Sequence, residues 1–258
     1  MKHIIFLTFL ATLFTFTITT LGSALVFFFK KVNKNFLDAM LGFSAGIMIA
    51  ASFFSLLNPA ISMARNLNMT TWIVLLIGFT LGGILLYLTG LIFDRKLSKK
   101  KKKLNLKRCI MLFLSITIHN IPEGMAIGVA FASTIYNIEG ATIEAAIVLA
   151  LGIGIQNFPE GSAVSLPLRR EGMPRIKSFV FGSLSGLVEI FAGLIGAILV
   201  MMVRNILPYL LSFAAGAMIY VVVGELIPES QTNKNKDIMT LFTLIGFSIM
   251  MILDVALG

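Results

Sequence analysis

Residues Cys109–Thr134 read CIMLFLSITIHNIPEGMAIGVAFAST, and residues Thr142–Leu168 read TIEAAIVLALGIGIQNFPEGSAVSLPL. A helix crossing a bilayer needs about 20 mostly apolar residues, and both stretches exceed that. Neither alternates apolar and polar residues with period two, as a barrel strand would. In lipid, a continuous helix satisfies its own backbone hydrogen bonds, so two adjacent spanning helices follow. Each also carries one polar hexad containing Pro and Glu, the costliest kind of insertion in such a segment.

Working outward, six further apolar stretches stand out: Ile4–Phe29, Phe36–Ile61, Thr71–Phe93, Ser178–Val203, Ile206–Ile227 and Ile238–Leu257. The 258 residues are 57% hydrophobic and only 13% charged, with a mean hydropathy of +0.95. A water-soluble core cannot hide that much apolar surface. The expected fold is an all-α membrane protein, an eight-transmembrane-helix bundle forming one domain over 1–258. Ile4–Phe29 is longer than a signal-peptide core of roughly 7–15 residues and is taken as the first span.

The net charge of +9 does not point to nucleic acid, because the basic residues fall in short gaps between apolar runs. All but three of the 21 Lys and Arg fall on one side of an eight-span arrangement; only Lys2, Arg65 and Arg204 fall on the other. Positive charge concentrates on the cytoplasmic side of a membrane protein. This places both termini outside and the Lys-rich 95–108 loop in the cytoplasm of a cell-membrane protein. That loop suits a topology anchor in contact with membrane lipids; it has no His or Cys to hold a metal. The single cysteine, Cys109, excludes a disulfide framework.

Glycines recur at helical spacing: Gly42 with Gly46, Gly78 with Gly82, Gly124 with Gly128, and Gly182 with Gly186. Such pairs let helix backbones approach closely. They serve packing within the bundle, and would equally serve a homodimer face.

Most acids fall near span ends. Glu123, Glu160 and Glu189 lie deeper, and His119 is the one histidine inside a span. An ionisable residue in hydrocarbon is costly and needs a partner or a function. The fourth span carries His119-Asn120-Ile121-Pro122-Glu123-Gly124, and the fifth carries Gln156-Asn157-Phe158-Pro159-Glu160-Gly161. Residues four apart share a helix face, so His119 lies over Glu123 and Gln156 over Glu160. Asn120 and Asn157 occupy adjoining faces. Pro122 and Pro159 cannot donate, which releases the carbonyls of Ile118 and Ile155. Gly124 and Gly161 are expected to let the two helices approach each other. Where the faces meet, they offer one imidazole, two carboxylates and several amide oxygens, a donor set for Zn²⁺ or a related divalent ion. Glu189 is either a structural acid bonded across helices or part of the same site.

At these residues the sequence resembles the ZIP family of Zrt-/Irt-like metal transporters, whose hallmark is this pair of hexads in the fourth and fifth spans. Gly42-Phe43-Ser44-Ala45-Gly46-Ile47-Met48 resembles the second span, Ser185-Gly186 to Glu189 the sixth, and Ala214 to Glu229 the seventh. The overall pattern is similar to the bacterial GufA-type branch. The resemblance implies eight spans and transport of divalent metal, commonly Zn²⁺, toward the cytoplasm. It further implies a binuclear centre. One ion would use His119, Glu123, Gln156 and Glu160; the second would use Asn120, Glu123, Asn157, Glu160 and Glu189. Two departures stand out: Gln156 and Asn157 are neutral amides where many members have His and some have Asp.

No ATP-binding motif is present, so alternating access driven by ion gradients is the expected mechanism. The rivals are a metal-gated channel and an intramembrane metalloenzyme. The enzyme is disfavoured by the lack of a His-Glu-x-x-His motif. No catalytic cofactor is expected. The divalent metal is cargo: Zn²⁺, or Cd²⁺, Fe²⁺ or Mn²⁺.

Overall fold

The computed structural model describes residues 2–28, 34–98, 104–136, 141–170, 172–202 and 204–257. Side chains are described for these except 92–98, 104–112, 115, 119, 170, 204 and 257. The Lys-rich loop, the Cys109 side chain and the His119 side chain therefore lie outside the described residues.

Every regular element among the described residues is helical. The first span is α1 (Lys2–Ser23) with the short α2 (Leu25–Phe28). The second is α3 (Lys34–Ala51), a π-helical turn at Ser52–Leu57, and α4 (Asn58–Asn66). Then come α5 (Thr71–Ser98), α6 (Leu104–Ser133), α7 (Ile143–Arg170) and α8 (Arg175–Met202). The seventh is α9 (Leu207–Val221), a π turn at Val222–Leu226 and α10 (Ile227–Ser230); α11 (Lys236–Leu257) is last. Seven of these units are long and apolar enough to cross a membrane, and α6, at 30 residues, makes the eighth.

Burial is arranged for lipid rather than water. Large apolar side chains are exposed on outward faces, including Trp72, Leu76 and Leu81 of α5 and Leu241, Leu244 and Ile252 of α11. Ser, Thr, Asn, Gln and Glu side chains are among those fully enclosed. An outward polar group in hydrocarbon would lose its hydrogen bonds without compensation, so polarity collects at the centre.

The helices sort into two groups. In one, α6 packs on α8, and α1 packs on α7 and α8; in the other, α3 packs on α11 and α5 on α9. The groups meet chiefly where α3 touches α7 and α6 touches α9. Small residues make these pairings. A Cβ added at Gly128 would sit 2.7 Å from the Gly193 carbonyl carbon of α8, and one at Gly46 would sit 2.6 Å from the Phe247 nitrogen of α11. One at Gly82 would sit 2.9 Å from the Ala217 nitrogen of α9, and one at Gly186 would sit 2.8 Å from Thr19 Oγ1 of α1. All four glycine pairs picked out from the sequence thus meet helices of their own chain, which removes them as the basis of a homodimer face.

The second and seventh spans are copies of one design. Leu41-Gly-Phe-Ser-Ala-Gly-Ile-Met matches Leu211-Ser-Phe-Ala-Ala-Gly-Ala-Met, and each runs through a π turn to a proline, Pro59 or Pro228. Their contacts match as well: Phe43 backbone lies under Gly246 of α11, and Phe213 backbone lies against Gly82 of α5. The repeat is visible in the sequence, but it becomes compelling only once both copies are seen to use the same contacts.

Gly128→Ala should lower the unfolding midpoint in detergent, at a cost of about 1–3 kcal/mol, because the backbones of α6 and α8 must part. Gly90→Ala, on α5 with nothing within 4 Å of the added carbon, should be neutral or stabilising by up to about 1 kcal/mol through helix propensity. Thermal unfolding of the purified variants checks both.

Candidate metal centre

Both hexads lie inside unbroken helices, with Pro122 within α6 and Pro159 within α7. Each proline lacks an N–H, so the ladder is interrupted at the carbonyls of Ile118 and Ile155 while helical geometry continues. The hexad side chains face inward: Asn120, Glu123, Gln156, Asn157 and Glu160 are fully buried, and so is Glu189 of α8. His119 lies on α6, one turn before Glu123.

The glycines after the glutamates act differently from expectation. A Cβ at Gly124 would sit 2.6 Å from Glu189 Cα, and one at Gly161 would sit 2.9 Å from the Ser23 nitrogen of α1. They bring α6 against α8 and α7 against α1, rather than α6 against α7. The two hexads are joined by side chains, while their glycines pack on α8 and α1.

What joins the side chains is a network of amides and carboxylates. Gln156 Nε2 donates to Glu123 Oε1, linking α7 to α6. Asn120 Nδ2 donates to Glu189 Oε1 at 3.2 Å and to the Ser185 carbonyl at 3.0 Å, linking α6 to α8. Asn157 Nδ2 lies 2.9 and 3.0 Å from the two Glu189 carboxylate oxygens, linking α7 to α8. Within this network four buried oxygens have no hydrogen-bond partner among the described residues: Asn120 Oδ1, Glu123 Oε2, Gln156 Oε1 and Asn157 Oδ1. A buried acceptor without a donor is costly, on the order of 1–3 kcal/mol each. Four of them on two facing helices make a cluster of electron-rich atoms suited to a cation. Among the described residues no three His, Cys, Asp or Glu side chains converge as a metal-holding group. The groups that come together are amides with carboxylates.

Some supporting residues escaped the sequence reading. Ser44 Oγ of α3 donates to the Gln156 carbonyl at 3.2 Å, the one hydrogen bond described from the second helix group to a hexad. On α1, Thr8, Thr12, Thr15, Thr19 and Ser23 are all fully buried, and Thr15 lies against the Glu189 carboxylate. Their spacing of three and four marks one helix face. That stripe was the available signal that the first span is a packed inner helix, not merely an anchor. Asp254, in the last turn of α11, accepts from Ser55 Oγ at 2.8 Å.

Two cavities flank the centre. The larger, about 260 Å³, adjoins Ala130 and Ser133 past the first hexad and Thr142 to Leu149 before the second, with Ser55 and Asp254 opposite. The smaller, about 40 Å³, adjoins Ile116 before the first hexad and Ala163 and Pro167 after the second, with Glu225 and Glu229 opposite. Neither cavity is lined by a hexad residue.

The fold is thus a helical membrane protein whose buried carboxylate–amide cluster joins α6, α7 and α8, three helices of one of its two groups. The family model described as ZIP zinc transporter matches residues 93–254. The chain is 37% identical to human zinc transporter ZIP11, covering 98% of each chain. It is 35% identical to zinc transporter ZIPB of Bordetella bronchiseptica, over 94% of this chain and 79% of that one. It is 30% identical to zinc transporter GufA of Myxococcus xanthus, over 96% and 98%. This chain belongs to the ZIP zinc transporter family: it is a multi-pass membrane transporter rather than an enzyme.

Ser44→Ala removes a hydroxyl that supports Gln156 from outside the hexads. It should lower stability by about 1 kcal/mol and leave Zn²⁺ affinity within about twofold, read by thermal unfolding and calorimetric titration together.

Proposed function

We propose that this chain carries a divalent metal ion, Zn²⁺ foremost, across the cell membrane into the cytoplasm, through a centre between α6 and α7. The observation that carries this reading is the set of four orphaned oxygens contributed by both hexads. The ion would be held by His119, Glu123, Gln156 and Glu160, with the carbonyl oxygens of Asn120 and Asn157 beside them. No Lys or Arg lies between residues 109 and 168, so no cationic side chain on these two helices competes with the metal. A donor set of one imidazole with oxygens, and no thiolate, suits an ion that must also leave. Cd²⁺, Fe²⁺ and Mn²⁺ are the alternative cargoes.

The order of parts supports alternating access. A cavity lies at each end of the α6–α7 pair, with the hexads between them. By the distribution of positive charge, the 260 Å³ cavity is on the outer side, the smaller one is cytoplasmic, and both termini are outside. Movement of the group α1, α6, α7 and α8 against α3, α5, α9 and α11 would expose the centre to one cavity and then to the other. The whole chain works as a single transmembrane domain.

In proteoliposomes loaded with a fluorescent zinc indicator, the protein should give saturable Zn²⁺ uptake without single-channel currents. Glu123→Gln should cut apparent affinity or rate by more than the roughly 10–100-fold that outer-sphere changes cost; His119→Ala should do the same. Uptake by Glu123→Gln at the unsubstituted rate would remove this site from the transport path.

A further inference from the structure

The three amides of the centre share one orientation. Gln156 gives its N–H to Glu123, while Asn120 and Asn157 give theirs to Glu189. Each leaves its carbonyl oxygen buried and unpartnered among the described residues. Turning any of them over would set a carbonyl oxygen against a carboxylate oxygen, two acceptors with no hydrogen between them. The pattern is therefore selected by the carboxylates, and it leaves the oxygen end of every amide for something else. A cation binds that end of an amide and is repelled by the N–H end.

Glu189 occupies a special place in this pattern. Its Oε1 faces Asn120 Nδ2 at 3.2 Å and Asn157 Nδ2 at 2.9 Å, and its Oε2 faces Asn157 Nδ2 at 3.0 Å. Oε1 thus accepts from α6 and from α7, Oε2 shares the α7 amide nitrogen, and neither oxygen is orphaned. Its backbone is held against Gly124, where a Cβ would come within 2.6 Å of its Cα, so the side chain projects from a fixed origin. A divalent ion approaching these oxygens would meet amide hydrogens first.

We propose that Glu189 is a positioning residue and not a ligand: it holds Asn120 and Asn157 with their carbonyl oxygens presented to the cargo, and the centre takes one divalent ion per chain. This rests on the metal-centre reading above and departs from the binuclear set that the family resemblance implies, in which Glu189 completes a second site. The physical cause is Asn157. An ionised Asp there would have no hydrogen to offer, and two carboxylates 3 Å apart would need a shared proton or a cation between them. The asparagine nitrogen instead offers its hydrogen to both Glu189 oxygens in place of that ion.

Calorimetric Zn²⁺ titration and metal analysis by mass spectrometry on the purified full-length chain test this. Unsubstituted protein should bind one Zn²⁺. Glu189→Gln should still bind one, with affinity weakened about 10–100-fold, because a glutamine has its own N–H and turns one asparagine over. Asn157→Asp, checked for folding by its gel-filtration profile, should bind two. Two ions in the unsubstituted protein, falling to one in Glu189→Gln, would overturn the proposal and leave the metal centre standing. If Glu189→Gln does not fold, Asn157→Asp decides: a folded variant that still binds one ion also overturns it. No saturable Zn²⁺ binding by the unsubstituted protein, or unchanged binding by Glu123→Gln, would defeat the metal-centre reading itself and the proposal with it.

Discussion

A carboxylate enclosed by hydrocarbon must be met by hydrogen-bond donors, protons or a cation, because no water is at hand to solvate it. Three such groups, Glu123, Glu160 and Glu189, lie fully buried in this bundle, and no Lys or Arg occurs on α6 or α7 from residue 109 to residue 168. The protein answers with amides. Gln156, Asn120 and Asn157 turn their N–H groups to the acids and thereby link α6, α7 and α8. The solution is incomplete by design of the chemistry: an amide that satisfies an acid leaves its own oxygen unsatisfied, so negative and electron-rich atoms still outnumber hydrogens.

Packing turns that imbalance into a defined place. Without a hydrophobic driving force between helices in lipid, close backbone contact does most of the holding, and it needs small residues. Gly124 seats α6 on Glu189 of α8, and Gly161 seats α7 on α1. The flanks of the centre are thus fixed, whereas α6 and α7 face each other across side chains. The second group of helices is built from a repeated segment, with matching glycine and phenylalanine contacts to α11 and α5. The contacts between groups include α3 with α7 and α6 with α9, and the two cavities adjoin these same elements.

For a carrier, moderate donors are an advantage. Thiolates would hold a first-row ion too firmly for rapid release, while amide and carboxylate oxygens exchange more readily. The substitution of amides for His and Asp in the second hexad shifts the balance further in that direction and lowers the charge that an empty centre must hide.

Much of this was legible in the linear chain. Segment length and hydropathy determined a helical membrane protein, because nothing but a helix satisfies a backbone in lipid over such stretches. The repeated hexad singled out the side chains that turn inward together, because the helical period places residues four apart on one face whatever surrounds them. The sequence could not say what that face would meet. It suggested that Gly124 and Gly161 join the two hexad helices, whereas they join each to a different neighbour; it left Glu189 between two roles; and it passed over the threonine stripe of α1 and Ser44. Those matters belonged to tertiary structure alone: the direction of an amide or the partner of a glycine depends on atoms remote in sequence, set only when all eight helices settle against one another.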